Sequence, residues 1–405
     1  MAQDRISPPY ALLLLPAPPS HAVRRLRDAY GPALSHVFSH LSRALDGFNR
    51  IGVLDIAVAI PGILSADYQP RARVFASLQH LLASLYTLVG AVAAAQDLEL
   101  DGPGGVDTRI FFVDDESSPA QTSSTTGNSP LQGPIIDLRT LATCQRAWDD
   151  VYVLDTRESQ QLASSFLNYT KSKSCTTVPG GDTSTSSKSI VTPLETPSKP
   201  HYSVAVGGTF DHLHIGHKLL LTATALALDS YGGQATGRRE RLLTVGVTGD
   251  ELLVNKKFAE FLESWEERWQ STASFLSAII DFTPPEDRVP DIQRASDPGP
   301  NGKWVLVKVT PDLHIKLVQI SDPFGPTITD ENISALVVSK ETRSGGKAIN
   351  DERAKKGWAP LEIFEVDILQ AGEVEEGVDA SAESFEAKIS STDIRRRRMN
   401  MAKGS

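Results

Sequence analysis

The sequence predicts an α/β protein: a Rossmann-like parallel sheet domain of nucleotide-handling type, preceded by a smaller α/β domain. Three observations carry this. Short apolar runs of strand length alternate with segments of helical periodicity along the chain. In the second half these runs are apolar throughout rather than alternating, as strands covered by helices on both faces are. A Ser/Thr/Pro-rich stretch divides the chain near its middle, and 405 residues give room for a core on either side of it.

Taken in order, YALLLLPA, VLDIAVAI, RIFFVDD and VYVLDT read as strands, separated by amphipathic segments around residues 20–46 and 72–96. Residues 1–170 are therefore expected to form one α/β domain, which carries no catalytic motif and reads as a docking or scaffold unit. Residues 115–130 read as a polar loop and residues 171–200 as a disordered linker. Residues 201–405 form the second domain. Its strands are YSVAVGG, LLTVGVTG, WVLVKVT, SALVVSK and LEIFEVDIL; its helices are placed at 215–230, 258–281 and 346–357, with 285–303 as a surface insertion. Ligands of such sheets bind at the carboxyl ends of the strands, near the point where strand order reverses.

Composition excludes several functions. The formal net charge of −10 gives no overall basic footprint for a nucleic acid. Cys144 and Cys175 are too few and too far apart for a disulfide framework or a zinc site, so a reducing, cytoplasmic setting is expected. Asp4 and the early prolines break any signal peptide, and no stretch is expected to reach the ~20 apolar residues of a membrane helix. The sequon at Asn168 is then a chance match.

The chemistry concentrates in GGTFDHLHIGH, residues 207–217, where a strand runs into a helix. Gly207 and Gly208 at the strand end let the backbone approach a phosphate, and the helix start supplies unpaired N–H groups and partial positive charge. His214 and His217, three residues apart, fall on one helical face, and Gly216 keeps the space between them open. Two imidazoles aimed at one phosphate can stabilise the charge of a five-coordinate transition state. His212 falls off this face and reads as surface; Asp211 is left open between a helix cap and a phosphate-metal orienter. KISSTDIRRRR, residues 388–398, repeats the logic: Ser390, Ser391 and Thr392 at a helix start, with Arg395 one turn on, present hydroxyls, N–H groups and a guanidinium to phosphate oxygens. Arg396–Arg398 read as basic surface or an import-like tract. Lys256 and Lys257 follow the second strand of this domain, and Lys340 closes the fourth.

With GGTFDHLHIGH, TGDELLVNKK, VVSKET and ISSTDIR in this order, residues 200–400 resemble the eukaryotic type of phosphopantetheine adenylyltransferase, in the HxGH nucleotidyltransferase superfamily. The resemblance implies transfer of AMP from ATP to 4′-phosphopantetheine, giving dephospho-coenzyme A and pyrophosphate. It implies Thr209 on the attacking phosphate, His217 on the α-phosphate, His214 on ATP, Lys256 between the reacting phosphates, and Ser390, Ser391, Thr392 and Arg395 on the β- and γ-phosphates, with Mg2+ accompanying ATP and no metal held by the protein. The bacterial Gly-Leu-Arg signature is replaced by Ser339-Lys340-Glu341, so substrate binding by Lys340 rests on position alone. No Walker A loop occurs, so a separate dephospho-coenzyme A kinase is expected, and residues 1–170 could dock it or another enzyme of that pathway. Other readings are a transferase for a different phosphorylated metabolite, a scaffold that kept the fold without turnover, and a tRNA synthetase, which would want a KMSKS-like loop that this chain lacks.

Overall fold

The computed structural model describes residues 7–45, 49–116, 132–170, 173–184, 190–196, 198–230, 240–288, 291–297, 299, 301–369, 385 and 389–404. Most of the expected polar loop at 115–130 lies outside them.

Chain order in the first half is β1 (Tyr10–Leu15), α1 (Val23–Leu45), β2 (Gly52–Ala59), α2 (Phe75–Ala95), β3 (Val106–Asp114), β4 (Ile135–Asp137), α3 (Leu138–Thr143), β5 (Asp150–Leu154), α4 (Arg157–Tyr169) and β6 (Cys175–Val178). The strands form one parallel sheet in the order β4-β3-β2-β1-β5-β6. The run Leu12–Leu15 shows why it reads as continuously apolar: Leu13 and Leu15 enter the core under α1 and α2, and Leu12 and Leu14 the core on the opposite face.

The second half continues β7 (Ser203–Gly208), α5 (Ile215–Ala227), β8 (Arg241–Thr248), α6 (Trp265–Ile280), β9 (Asp291–Ser296), β10 (Lys303–Thr310), β11 (Leu313–Ile320), β12 (Ala335–Ser339), α7 (Arg343–Lys355), β13 (Glu362–Val366) and α8 (Ser391–Gly404). Its sheet has the order β13-β12-β7-β8-β11-β10-β9. The first five are parallel, while β10 runs antiparallel to both neighbours. WVLVKVT is thus not the third parallel strand; that place belongs to LHIKLVQI, and WVLVKVT pairs with it and with β9 from the expected insertion. Both runs are apolar and β-branched, so periodicity alone could not rank them.

Setting aside β4 and the β9–β10 ribbon, the two sheets share one topology. Numbered from the first strand of each half, both read 3-2-1-4-5, with β1, β2, β3, β5, β6 matching β7, β8, β11, β12, β13.

The halves are not tethered modules. One core runs through both, from Leu13, Tyr30 and Leu82 to Ile215, Leu243 and Phe385. The centre of it is α2 against α5. At Gly90 a Cβ would come within 2.7 Å of the Phe385 ring and 2.8 Å of Ile215 Cδ1, so the missing side chain sets how closely these elements approach. Beside it, the Phe75 ring of α2 meets the Phe364 ring of β13 at 4.6 Å. Each large apolar side chain fully buried here contributes about 1.5–3 kcal/mol. Polar ties surround it: Asp229 accepts from the Arg71 backbone N–H (2.7 Å) and the His201 backbone N–H (2.8 Å), and Arg146 bridges buried Asp55 (2.9 Å) to the Asp281 carbonyl (3.0 Å).

Two sequence expectations are corrected here. The linker assigned to 171–200 is not a linker throughout, because Cys175–Val178 form β6 beside β5 and Val191 is buried in the shared core. A Ser/Thr-rich edge strand has the composition of a disordered segment, which hid it. And α2, 21 residues with hydropathy 1.5, is long and apolar enough to cross a bilayer by composition, contrary to expectation; 83% of that window is buried between the two halves.

Candidate active site

The connection from β7 to α5 is wound by two residues in the left-handed region, Phe210 (φ 52°) and His212 (φ 46°). Non-glycine residues hold that conformation where their surroundings over-determine it. Phe210 is fully buried, its ring 5.5 Å from that of His217. His212, expected at the surface, is buried: Nε2 donates to the Phe261 carbonyl (2.8 Å), Nδ1 lies 3.2 Å from a Glu263 oxygen, and its backbone N–H donates to Glu263 (2.9 Å). Burial opposes charge on this ring, but the Glu263 hydrogen bond and the Asp211 and Glu263 charges outweigh it and raise its pKa.

Asp211 is neither a helix cap nor a phosphate orienter. It is fully buried, pairs with Arg395, and accepts from the Glu263 backbone N–H (3.0 Å). Arg395 correspondingly points inward. Besides Asp211, it donates to the Lys257 carbonyl (3.0 Å) and to Thr392 Oγ1 (3.2 Å). The expected phosphate-binding guanidinium thus joins three motifs: the β7–α5 connection, the lysine loop and the start of α8. Ser391 Oγ donates to the Asp211 carbonyl (2.9 Å) and tightens the same junction.

His214 is the N-cap of α5, its Nδ1 accepting from the His217 backbone N–H at 3.4 Å. An accepting Nδ1 leaves the ring proton on Nε2. The two rings stack, centroids 3.8 Å apart and 21° from parallel. A Cβ on Gly216 would stand 3.2 Å from the His214 ring, so glycine is what lets that ring lie over the helix start. Burial, then the neighbouring His217, Lys218 and His212, push the His214 pKa far down. Burial chiefly pushes His217 down to about 4. At neutral pH both are neutral N–H donors beside a helix N-terminus, suited to an anion.

Gly207 opens the strand end: a Cβ there would meet nothing within 4 Å. Gly208 instead faces the Phe210 ring, 3.0 Å from its added Cβ. Thr209 is half-buried and its carbonyl is held by Arg268 Nη1 at 2.8 Å. At α8, Ser390 Oγ accepts from the Asp393 backbone N–H (3.3 Å), which makes it the cap of that helix. Lys256 and Lys257 are exposed on their loop. Lys340 lies apart from these groups in its contacts, ion-paired to Asp367 at 2.6 Å; the same carboxylate meets His80 Nδ1 of α2 at 2.8 Å. Arg397 is not free basic surface either, since it pairs with Glu99 and Asp101 of the first half.

Sequence reasoning missed Arg268, which is fully buried and donates to the Thr209 carbonyl, the Glu263 carbonyl (2.9 Å) and Asp250 (2.6 Å). Its signal was an arginine on the apolar stripe of α6, between Trp265 and Thr272. Among the described residues, Asp211, His212 and Glu263 converge closely enough to suggest a metal. Asp211 is already taken by Arg395 and the Glu263 backbone N–H and His212 Nε2 by the Phe261 carbonyl, while His212 Nδ1 faces the Glu263 carboxylate at 3.2 Å. A surface cavity of about 300 Å³ lies elsewhere, between Ala142 and Lys173, and its lysine is already committed to the Arg146 and Trp148 carbonyls.

Residues 205–397 match the family model described as Cytidylyltransferase-like, and residues 1–188 match Domain of unknown function (DUF8446). An uncharacterized protein of Schizosaccharomyces pombe is 38% identical over 47% of this chain and 46% of its own length. A phosphopantetheine adenylyltransferase of Saccharomyces cerevisiae is 34% identical over 47% of each chain. The chain thus spans about half the length of these two relatives. A phosphopantetheine adenylyltransferase of Pyrobaculum aerophilum is 30% identical over 42% of this chain and 82% of its own.

Proposed function

The chain belongs to the phosphopantetheine adenylyltransferase family, and on that premise we propose that it transfers AMP from ATP to 4′-phosphopantetheine, a step of coenzyme A biosynthesis. The observation that carries the reading is the stacked pair of neutral histidines at the start of α5, joined through Asp211 to the start of α8. Two helix N-termini so connected suit a polyphosphate.

In the proposed reaction a phosphate oxygen of phosphopantetheine attacks the α-phosphorus of ATP. The bond to the bridging oxygen breaks and pyrophosphate leaves with that electron pair. No enzyme nucleophile takes part, so positioning and charge stabilisation supply the catalysis. Thr209 meets the incoming phosphate, His217 the α-phosphate oxygen as charge develops, and His214 the ATP chain. Lys256, on its exposed loop, spans the two reacting phosphates. Ser390, Ser391 and Thr392 offer the N-terminus of α8 to the β- and γ-phosphates. Arg395 supports this by holding Asp211 and Lys257 rather than by reaching the nucleotide from its buried position. Magnesium enters as the counter-ion of ATP. A cytoplasmic setting is supported by two unpaired cysteines, and the product is passed to a dephospho-coenzyme A kinase acting from a different sequence than these residues.

The test is incubation of purified protein with ATP, magnesium and 4′-phosphopantetheine, with chromatography of the products. Dephospho-coenzyme A and pyrophosphate in equal amounts are expected. Turnover of nicotinamide mononucleotide or choline phosphate in place of phosphopantetheine would overturn the substrate assignment.

A further inference from the structure

The connection between α2 and β3 belongs to the first half of the chain, yet it grips both helices whose starts form the candidate site. Asp107, at the beginning of β3, pairs with Lys218 Nζ at 2.6 Å. Lys218 directly follows His217 and its side chain is 3% exposed, an unusual depth for a lysine. Ten residues or fewer away in sequence, Glu99 and Asp101 hold Arg397, on the second turn of α8, with Asp101 at 3.4 Å. Arg109 closes on Asp107 from the other side at 2.9 Å, so the carboxylate is fixed between two cations and its pKa is held at about 2 against the effect of burial.

We infer that Asp107, with Glu99 and Asp101, are positioning residues for adenylyl transfer, and that the first half of the chain acts on the reaction through these contacts. A helix start is a useful phosphate site only when its N–H groups and its histidines stand at a fixed distance from the second helix start, because a misplacement near 1 Å costs about 10²-fold in rate. Side-chain contacts from one short stretch of chain, Asp107 to α5 and Glu99 and Asp101 to α8, set that distance. A surface ion pair could not do this, being worth little and easily rearranged. The Asp107–Lys218 pair differs because the lysine has no solvent to turn to, and losing its partner strands a buried charge.

This inference rests on the adenylyl-transfer reading for its kinetic readout, so the test includes a second readout that does not. Asp107→Asn, Lys218→Met and the double variant are prepared in the full chain, with kcat and both KM values measured, and with the rate at which diethyl pyrocarbonate modifies His217 followed by mass spectrometry. Each single variant is expected to lose at least about tenfold in kcat with KM for ATP and phosphopantetheine within about twofold, and the double variant to lose no more than either. His217 modification should speed up in all three. Should a single variant not yield soluble protein, the double variant, which strands neither charge of the pair, is read by the same criteria. Unchanged kcat and unchanged His217 reactivity, with only a lower melting temperature, would overturn the inference and leave the pair a stability element. If the wild-type chain does not turn over phosphopantetheine at all, the functional reading falls, and His217 reactivity alone decides whether the connection positions the helix.

Discussion

The β1–α1 and β7–α5 connections occupy the same place in the same topology, and they are built in opposite ways. The second follows a strand end opened by Gly207, whose added Cβ would meet nothing, and ends in a histidine cap on the helix start. The first runs Pro16-Ala17-Pro18-Pro19-Ser20-His21, with three prolines that offer no N–H donor. The Pro16 carbonyl is taken by the Tyr30 hydroxyl at 2.7 Å. The chain itself fills the crevice beside it: Gly180 N–H donates to Asp155 (2.7 Å) and Gly181 N–H to the Ala29 carbonyl (2.9 Å). A Cβ on Gly181 would sit 1.7 Å from the Asp28 carbonyl oxygen, so this segment packs directly against the second turn of α1. Topology places a crevice at the strand ends in both halves; the residues of one connection decide whether it receives a phosphate.

The most severe way to break this comparison is to remove the first half. A chain starting at residue 198 should fail to give a cooperative thermal transition, because α5 would lose the cover of α2 over its buried face. A truncated chain that melted as sharply as the whole would show the halves to be separable. Next in size, Arg395→Met leaves Asp211 buried without its partner and should cost about 3–5 kcal/mol in urea unfolding. Third, His217→Ala should lower kcat by about 10²–10³ while the melting temperature holds, whereas His21→Ala, at the corresponding connection of the first half, should leave kcat within about twofold. Equal losses from both would mean that the first connection is also catalytic.

The smallest effect sharpens the contrast within the second connection. His217 is held at about 4 when folded against a usual 6.5, so the unfolded chain takes up the proton first. Its contribution to stability is complete above about 6.5 and is lost as pH falls towards 4. His212 is shifted the other way, so its contribution is complete at low pH and is lost as pH rises through its raised value. Urea midpoints measured across this range should fall on the acid side in the wild type and fall less in His217→Ala.

What the sequence made legible follows from how far apart the partners lie. The stacked histidines, the cap at Ser390 and the strand–helix setting of GGTFDHLHIGH are contiguous features, and local spacing sufficed to find them. His212, Arg395 and Arg268 were misread or missed because their partners lie 51, 184 and 59 residues away, at Glu263, Asp211 and Thr209. For His212 and Arg395 no local signature marks such a partner, and for Arg268 the local sign, an arginine on a buried helix stripe, does not name it. The same holds for α2, which reads as amphipathic in the sequence but is buried along most of its length, by partners that its own residues do not name.

That burial also limits quaternary structure. Ten of the thirteen residues of α5 are buried, and α2 covers this helix from within the same polypeptide. A subunit interface built on the outer face of α5 is therefore closed to this protein, since the apolar surface that a second copy would need has already been used by the chain itself.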